Sequence, residues 1–125
     1  MANDNLLKQL NDIDNELHKP FPYKDACKIQ KDFDDKFSEI QDEENCLTCD
    51  FDTYCMNIAG ILSYVLRGKS KDIPKGQIEM LQFSFFELFN QYKFFEDKII
   101  QYEEFYQEYM NYEKARKLLL EYLSE

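Results

Sequence analysis

The chain contains 125 residues, of which 25 are Asp or Glu and 15 are Lys or Arg, so its formal net charge at pH 7 is -10. Because nucleic-acid affinity comes mainly from cations that neutralise phosphates, this balance excludes a free-standing basic nucleic-acid binder. Hydrophobic residues make up 44% of the chain and aromatic residues 16%, which is enough apolar material for one core. The length predicts one acidic helical domain over residues 1–125.

The sequence lacks the pattern of a membrane or secreted protein. No stretch approaches the roughly 20 apolar residues that a membrane-spanning helix needs. The first residues include Asp4 and no long apolar run, so we expect no secretory signal peptide. We therefore expect a cytoplasmic protein, in the host cytoplasm if a phage encodes it. In a reducing compartment the four cysteines favour metal ligands or free thiols over disulfides.

Apolar residues at helical spacing predict three helices in the first half of the chain. The first carries Leu6, Leu7, Leu10, Ile13 and Leu17 and ends before Pro20; the second carries Ala26, Ile29, Phe33, Phe37 and Ile40; the third carries Phe51, Tyr54, Ile58, Ile61, Leu62 and Val65. Thr48 or Asp50 is expected to cap the start of the third helix, and Gly68 is expected to close its end.

Residues 77–125 contain no glycine or proline, and their apolar residues recur in steps of three and four. This seam consists of Ile78, Leu81, Phe85, Leu88, Tyr92, Phe95, Ile99, Tyr102, Tyr106 and Tyr109. A single helix would be about 70 Å long, longer than a globule of this size is wide. We therefore predict one break, near Asn90–Lys93 or near Asn111. The predicted fold is an all-α bundle of about five helices with a long C-terminal helix or helical hairpin.

The most specific local pattern is the pair Cys46 and Cys49, separated by two residues, with Cys27 before it and Cys55 after it. Two thiolates at this spacing approach one ion while backbone amides donate to the sulfurs. We predict a metal site on these four cysteines, with structural zinc ahead of an iron–sulfur cluster. Free thiols are the main alternative, because Cys55 falls on the apolar face of the third helix, and a disulfide is the third.

This cysteine pattern resembles the iron–sulfur ligand sets of WhiB-type regulators and of the cluster modules attached to RecB-family nucleases. The resemblance covers the segment from Cys27 to Cys55. It implies a redox-sensing regulator that holds an iron–sulfur cluster and reports to transcription machinery. The chain departs from the WhiB pattern because it has no tryptophan and continues with an acidic aromatic segment in place of a basic tail.

The carboxylates predicted to bind a partner are Asp32, Asp34, Asp35, Asp42, Glu43 and Glu44. A net charge of -10 on 15.1 kDa creates a field that steers association with a positively charged protein. The alternative for these residues is an ordinary solvated face. No catalytic residues are predicted, because the single histidine, His18, has no nucleophile at a suitable spacing, and we expect no enzyme.

In size, charge and lack of catalytic residues, the sequence resembles the small inhibitor proteins of phages and mobile elements, of the anti-CRISPR type. The resemblance is one of composition over the whole chain. It implies a non-catalytic protein that blocks a guide-RNA-dependent nuclease by occupying a basic surface, without contacting nucleic acid or membrane itself. Two other functions stay open: the iron–sulfur regulator, and a coiled-coil scaffold that dimerises through the C-terminal helix.

Overall fold

The computed structural model describes residues 2–17, 27–32, 35 and 47–124. Helix α1 spans Ala2–Glu16, α2 is the helical segment 27–32, α3 spans Leu47–Leu66, α4 Lys75–Met80, α5 Phe85–Leu88, α6 Glu96–Ile99 and α7 Glu103–Leu123. Two 3-10 helices cover Ser70–Asp72 and Asn90–Phe95. These described segments contain no strand, which confirms the all-α class and the long C-terminal helix.

Three long helices, α1, α3 and α7, enclose the core. Helix α1 packs most extensively on α7, and α3 packs on both of them. Phe51 of α3 is fully buried at the centre, where its ring centroid lies 4.9 Å from that of Phe85 and 4.6 Å from that of Phe105. Aromatic pairs at these separations are favourable beyond the area that they bury. The aromatic residues of the sequence therefore join the short helices to the long ones.

The predicted face of the first helix is confirmed. Leu6, Leu10, Ile13 and Leu17 are buried and Leu7 is half-buried. In the second predicted helix, Ile29 is buried as expected. The positions Pro20, Ala26, Phe33, Phe37 and Ile40 lie outside the described residues.

Helix α3 buries all six apolar residues predicted for it. The predicted N-cap is wrong, because the helix begins at Leu47 and both Thr48 and Asp50 lie inside its first turn. The predicted end is confirmed at Gly68, which has a φ of 72°. Gly68 donates its N–H to the carbonyl of Val65 at 3.0 Å, and Lys69 donates to that of Tyr64 at 2.8 Å. These two bonds form a Schellman motif, in which the left-handed backbone favours glycine.

Of the two positions predicted for a break within residues 77–125, the one near Asn90–Lys93 is confirmed, since the 3-10 helix Asn90–Phe95 separates α5 from α6. The prediction of a single break is wrong. The chain is interrupted after α4, between α5 and α6, and again before α7, whereas Asn111 lies inside α7. Ser84 starts α5 through a capping box in which its backbone N–H donates to Glu87 Oε1 at 3.0 Å. The period of the apolar seam survives these interruptions, so periodicity alone did not reveal them. None of the described helices is long and apolar enough to cross a membrane.

Candidate functional site

Two of the predicted partner-binding carboxylates, Asp32 and Asp35, are described, and both are exposed. Asp32 Oδ2 accepts a hydrogen bond from the hydroxyl of Tyr102, which lies between α6 and α7. This bond links α2 to the C-terminal part of the fold. Asp34, Asp42, Glu43 and Glu44 lie outside the described residues.

A second set of carboxylates, which the sequence analysis did not single out, surrounds the junction of α6 and α7. Glu96 and Asp97 lie in the first turn of α6, Glu103 and Glu104 lie in the first turn of α7, and all four are exposed. Carboxylates in the first turn of a long helix such as α7 are stabilised by the helix dipole. The sequence shows four acidic residues within a short segment. It does not show that they lie beside an apolar groove, which is the reason to consider them as a binding site.

An apolar groove of about 270 Å³ lies beside these carboxylates, and we call it the α6–α7 groove. Its lining residues are Phe86, Glu96, Asp97, Ile99, Ile100, Tyr106, Tyr109 and Met110. Ile100 is 61% exposed, Met110 41% and Tyr106 37%, so the groove brings together three of the large apolar side chains that are exposed in the described residues. An apolar patch with a polar rim is typical of an interaction surface.

The register of α7 places a third carboxylate on the groove side. Tyr106 and Met110 are four residues apart and therefore share one face of the helix. Glu103 precedes Tyr106 by three residues on the same face. The groove therefore has an acidic rim formed by Glu96 and Asp97 on α6, and Glu103 adds a carboxylate to the face of α7 that carries Tyr106.

Tyr109 contributes an uncharged floor to this groove. Its side chain is half-buried, and its ring centroid lies 5.7 Å from that of Phe86. Burial raises the pKa of Tyr109 well above its usual value, and the negative charges of Glu113 and Glu96 raise it further. The phenol is therefore neutral at physiological pH, and the negative charge is confined to the rim.

A buried polar cluster joins α7 to the neighbouring helices. Arg116 donates from Nε to Glu113 Oε1 at 3.2 Å and from Nη2 to Glu113 Oε2 at 2.9 Å. Its Nη1 donates to the carbonyl of Leu81 at 3.1 Å, and the hydroxyl of Tyr54 donates to Glu113. The cluster therefore connects α3, the end of α4 and α7. Sequence reasoning missed it, because Glu113 and Arg116 have the spacing of an ordinary surface ion pair.

The predicted metal ligands differ in their surroundings. Cys27 is an exposed free thiol, Cys55 is a buried free thiol, and Cys49 is disulfide-bonded inside the first turn of α3. Burial raises the pKa of Cys55, and the neighbouring charges of Asp52 and Glu108 add to the effect. Cys46 and His18 lie outside the described residues. Within the described part of the chain, no group of three or more His, Cys, Asp or Glu side chains is arranged to hold a metal ion.

The fold and the surface together define an acidic, all-α bundle whose groove joins an apolar floor to a carboxylate rim. Over residues 8–120 the chain matches the model of the family described as YxiJ-like protein, and it belongs to that family. No curated protein and no solved structure matches the chain.

Proposed function

We propose that this YxiJ-like protein is a non-catalytic binding protein that inhibits a larger nucleic-acid-handling protein by occupying a basic surface on it. The observation that supports the proposal is the exposure of carboxylates on the described helical segments. These residues are Asp32, Asp35, Glu96, Asp97, Glu103 and Glu104. Such carboxylates take the place of phosphates as partners for Lys and Arg, which bind carboxylate and phosphate groups through the same donors.

The net charge of -10 adds a long-range attraction to these local contacts. Electrostatic steering raises association rates by about 10 to 10³ and falls steeply as ionic strength rises. The packed aromatic core adds preorganisation, because carboxylates on ordered helices lose less conformational entropy on binding than those on a disordered tail. A folded acidic protein is therefore a better competitor for a basic channel than an acidic peptide of equal charge.

A guide-RNA-dependent nuclease is the partner that the resemblance to anti-CRISPR proteins implies. Such a nuclease holds its heteroduplex in a positively charged channel and recognises it largely through the backbone. The acidic protein would occupy part of that channel and exclude the target. This mechanism needs surface charge and shape from the inhibitor, and no catalytic step.

The test uses a panel of purified guide-RNA-loaded nucleases, with binding and target cleavage measured at about 0.1 M and about 1 M salt, where the Debye length falls from about 10 to about 3 Å. We expect the protein to bind and inhibit a member of the panel at low salt and to lose most of its affinity at high salt. Charge-neutralising variants supply the control. Glu103→Gln with Glu104→Gln should weaken binding, whereas Lys69→Gln with Lys71→Gln, in the exposed basic turn after α3, should not.

Two results would overturn the proposal. One is a panel in which no nuclease is bound or inhibited. The other is an affinity that does not change with salt, because occupation of a basic surface by carboxylates requires a strong salt dependence.

A further inference from the structure

We infer that the α6–α7 groove is the docking site for a segment of the partner protein in which a large apolar side chain lies next to Lys or Arg. The inference rests on the proposed function and names the surface and the partner chemistry for it. It also moves the main contact from the acidic segment between Asp32 and Glu44, which the sequence favours, to the C-terminal part of the fold.

The size and lining of the groove indicate an apolar side chain as the anchor. Its volume of about 270 Å³ is slightly below the range for small-molecule pockets, roughly 300 to 1,000 Å³. Ile100, Tyr106 and Met110 expose large apolar side chains to this space. A single Leu, Phe or Met side chain from another protein would cover them and remove this apolar surface from water.

The charges around the groove indicate the neighbours of that anchor. Glu96 and Asp97 line it, Glu103 lies on the same face of α7 as Tyr106, and the described residues that line it include no Lys, Arg or His. Complementary charge across an interface gives specificity, and like charge across it is penalised. A segment with Lys or Arg beside the apolar anchor therefore fits, whereas an acidic segment is repelled.

The same charges argue against a second copy of this chain as the occupant. Each copy has a net charge of -10, and a symmetric contact would place the same acidic rim on both sides of the interface. Two rims of carboxylates facing one another would repel, so a groove built for self-association would be expected to carry cations as well. The groove has the charge of a receptor for a basic partner.

The groove is rigid on one side and adaptable on the other. Helix α7 is joined to α3 and to the end of α4 by buried hydrogen bonds, since Tyr54 donates to Glu113 and Arg116 donates to the carbonyl of Leu81. Met110 itself has an unbranched side chain that adjusts to different neighbours. Tyr106 and Tyr109 supply aromatic surface, which is enriched among the residues that dominate binding energy. This combination suits an interface that holds one anchor tightly.

The experiment is a selection of displayed random peptides on the full-length protein, with counter-selection on the variant Ile100→Ser with Met110→Ser. Both positions are exposed, so the variant should keep its fold, which circular dichroism checks. Selected peptides are then synthesised, and their dissociation constants are measured by fluorescence anisotropy. We expect the selected sequences to place Leu, Phe or Met beside Lys or Arg, and to bind the counter-selection variant about tenfold more weakly or worse.

A matched pair of charge variants tests the role of the rim. Glu96→Gln with Asp97→Asn removes two charges from the groove. Asp12→Asn with Glu16→Gln removes two charges from a separate polar groove between α1 and α7. We expect the first pair to weaken peptide binding several-fold at low salt and the second to leave it nearly unchanged. Equal effects of the two pairs would show that only net charge matters and would overturn the inference.

Other results would overturn it as well. They are the absence of peptides that prefer the wild type, selected peptides without basic residues, and a dimer in light scattering that Ile100→Ser with Met110→Ser abolishes.

The inhibition assay separates this inference from the proposed function. If the wild type and the Ile100→Ser, Met110→Ser variant inhibit the nuclease equally, the groove inference fails and the proposed function stands. If the selected peptides bind the groove but no nuclease is inhibited, the groove inference stands and the proposed function fails.

Discussion

Arg116 binds Glu113 through two parallel hydrogen bonds, Nε to Oε1 at 3.2 Å and Nη2 to Oε2 at 2.9 Å, and both side chains are buried. The hydroxyl of Tyr54 adds a third bond to the same carboxylate. A buried ion pair contributes little net free energy when complete, but the removal of one partner leaves an uncompensated charge. Because Tyr54 also donates to Glu113 and Arg116 also donates to the Leu81 carbonyl, the position of α7 depends on two residues that look exposed in the sequence.

We predict that Arg116→Met lowers the free energy of unfolding by about 3 kcal/mol, because it leaves the Glu113 carboxylate buried without its cation. Urea unfolding followed by circular dichroism measures the change. Lys117→Met, at the exposed neighbouring position, is the control and should change stability by less than about 0.5 kcal/mol. The combination of Arg116→Met with Glu113→Leu should cost less than Arg116→Met alone. A single variant as stable as the wild type would contradict this role of the pair.

The buried tyrosines predict a loss of stability at alkaline pH. Burial raises the pKa values of Tyr54, Tyr109 and Tyr112 well above the usual value, and nearby negative charges add to the shift for all three. The folded state prefers the neutral phenols. Their contribution to the free energy of unfolding is therefore fully present below about pH 10, the pKa of tyrosine in the unfolded state, and is lost as the pH rises above that value. Absorbance near the phenolate band should show these tyrosines ionising together with unfolding. Ionisation of all tyrosines before any loss of helix would contradict the prediction.

Helical periodicity predicted α1 and α3 well because burial of one apolar face determines both helices. Leu10 and Ile61 are fully buried, as their spacing indicates. The breaks between α4 and α7 follow from local signals that periodicity does not contain. The clearest is the capping box of Ser84 and Glu87. A serine followed three residues later by a glutamate is a sequence pattern that marks the start of a helix.

The candidate site was harder to predict than the fold because it depends on contacts between elements. Glu96 and Met110 line one groove although they lie in different helices, and neither residue is distinctive by itself. The sequence instead drew attention to the runs of carboxylates around Asp35, where residues of like charge are adjacent along the chain. Charge density along the sequence identifies acidic segments, but it does not show which of them lie beside exposed apolar side chains.

Glycine-to-alanine substitutions at two positions should have opposite effects. Gly60 lies inside α3 and Gly68 lies after its end, and an added Cβ meets nothing within 4 Å at either position. Gly60→Ala should stabilise the protein by up to about 1 kcal/mol, since alanine favours the helix. Gly68→Ala should destabilise it by about 1 to 2 kcal/mol, because its φ of 72° disfavours a residue with a Cβ. Thermal unfolding of both variants checks the signs, and a shift in the same direction would contradict the account of the Schellman motif.

Thiol reactivity separates the interpretations of the cysteines. In unreduced native protein, we expect a thiol reagent to modify the exposed Cys27 quickly and the buried Cys55 only on unfolding. Cys27→Ser should remove the fast phase and Cys55→Ser the slow one.

The metal prediction requires reduced protein, because a disulfide-bonded Cys49 supplies no thiolate. If zinc binds Cys27, Cys46, Cys49 and Cys55, elemental analysis of reduced protein should find about one zinc per chain, and the thiols should react only after chelation. Reactive thiols without bound zinc or iron would contradict the metal site and favour the interpretation of Cys27 and Cys55 as free thiols.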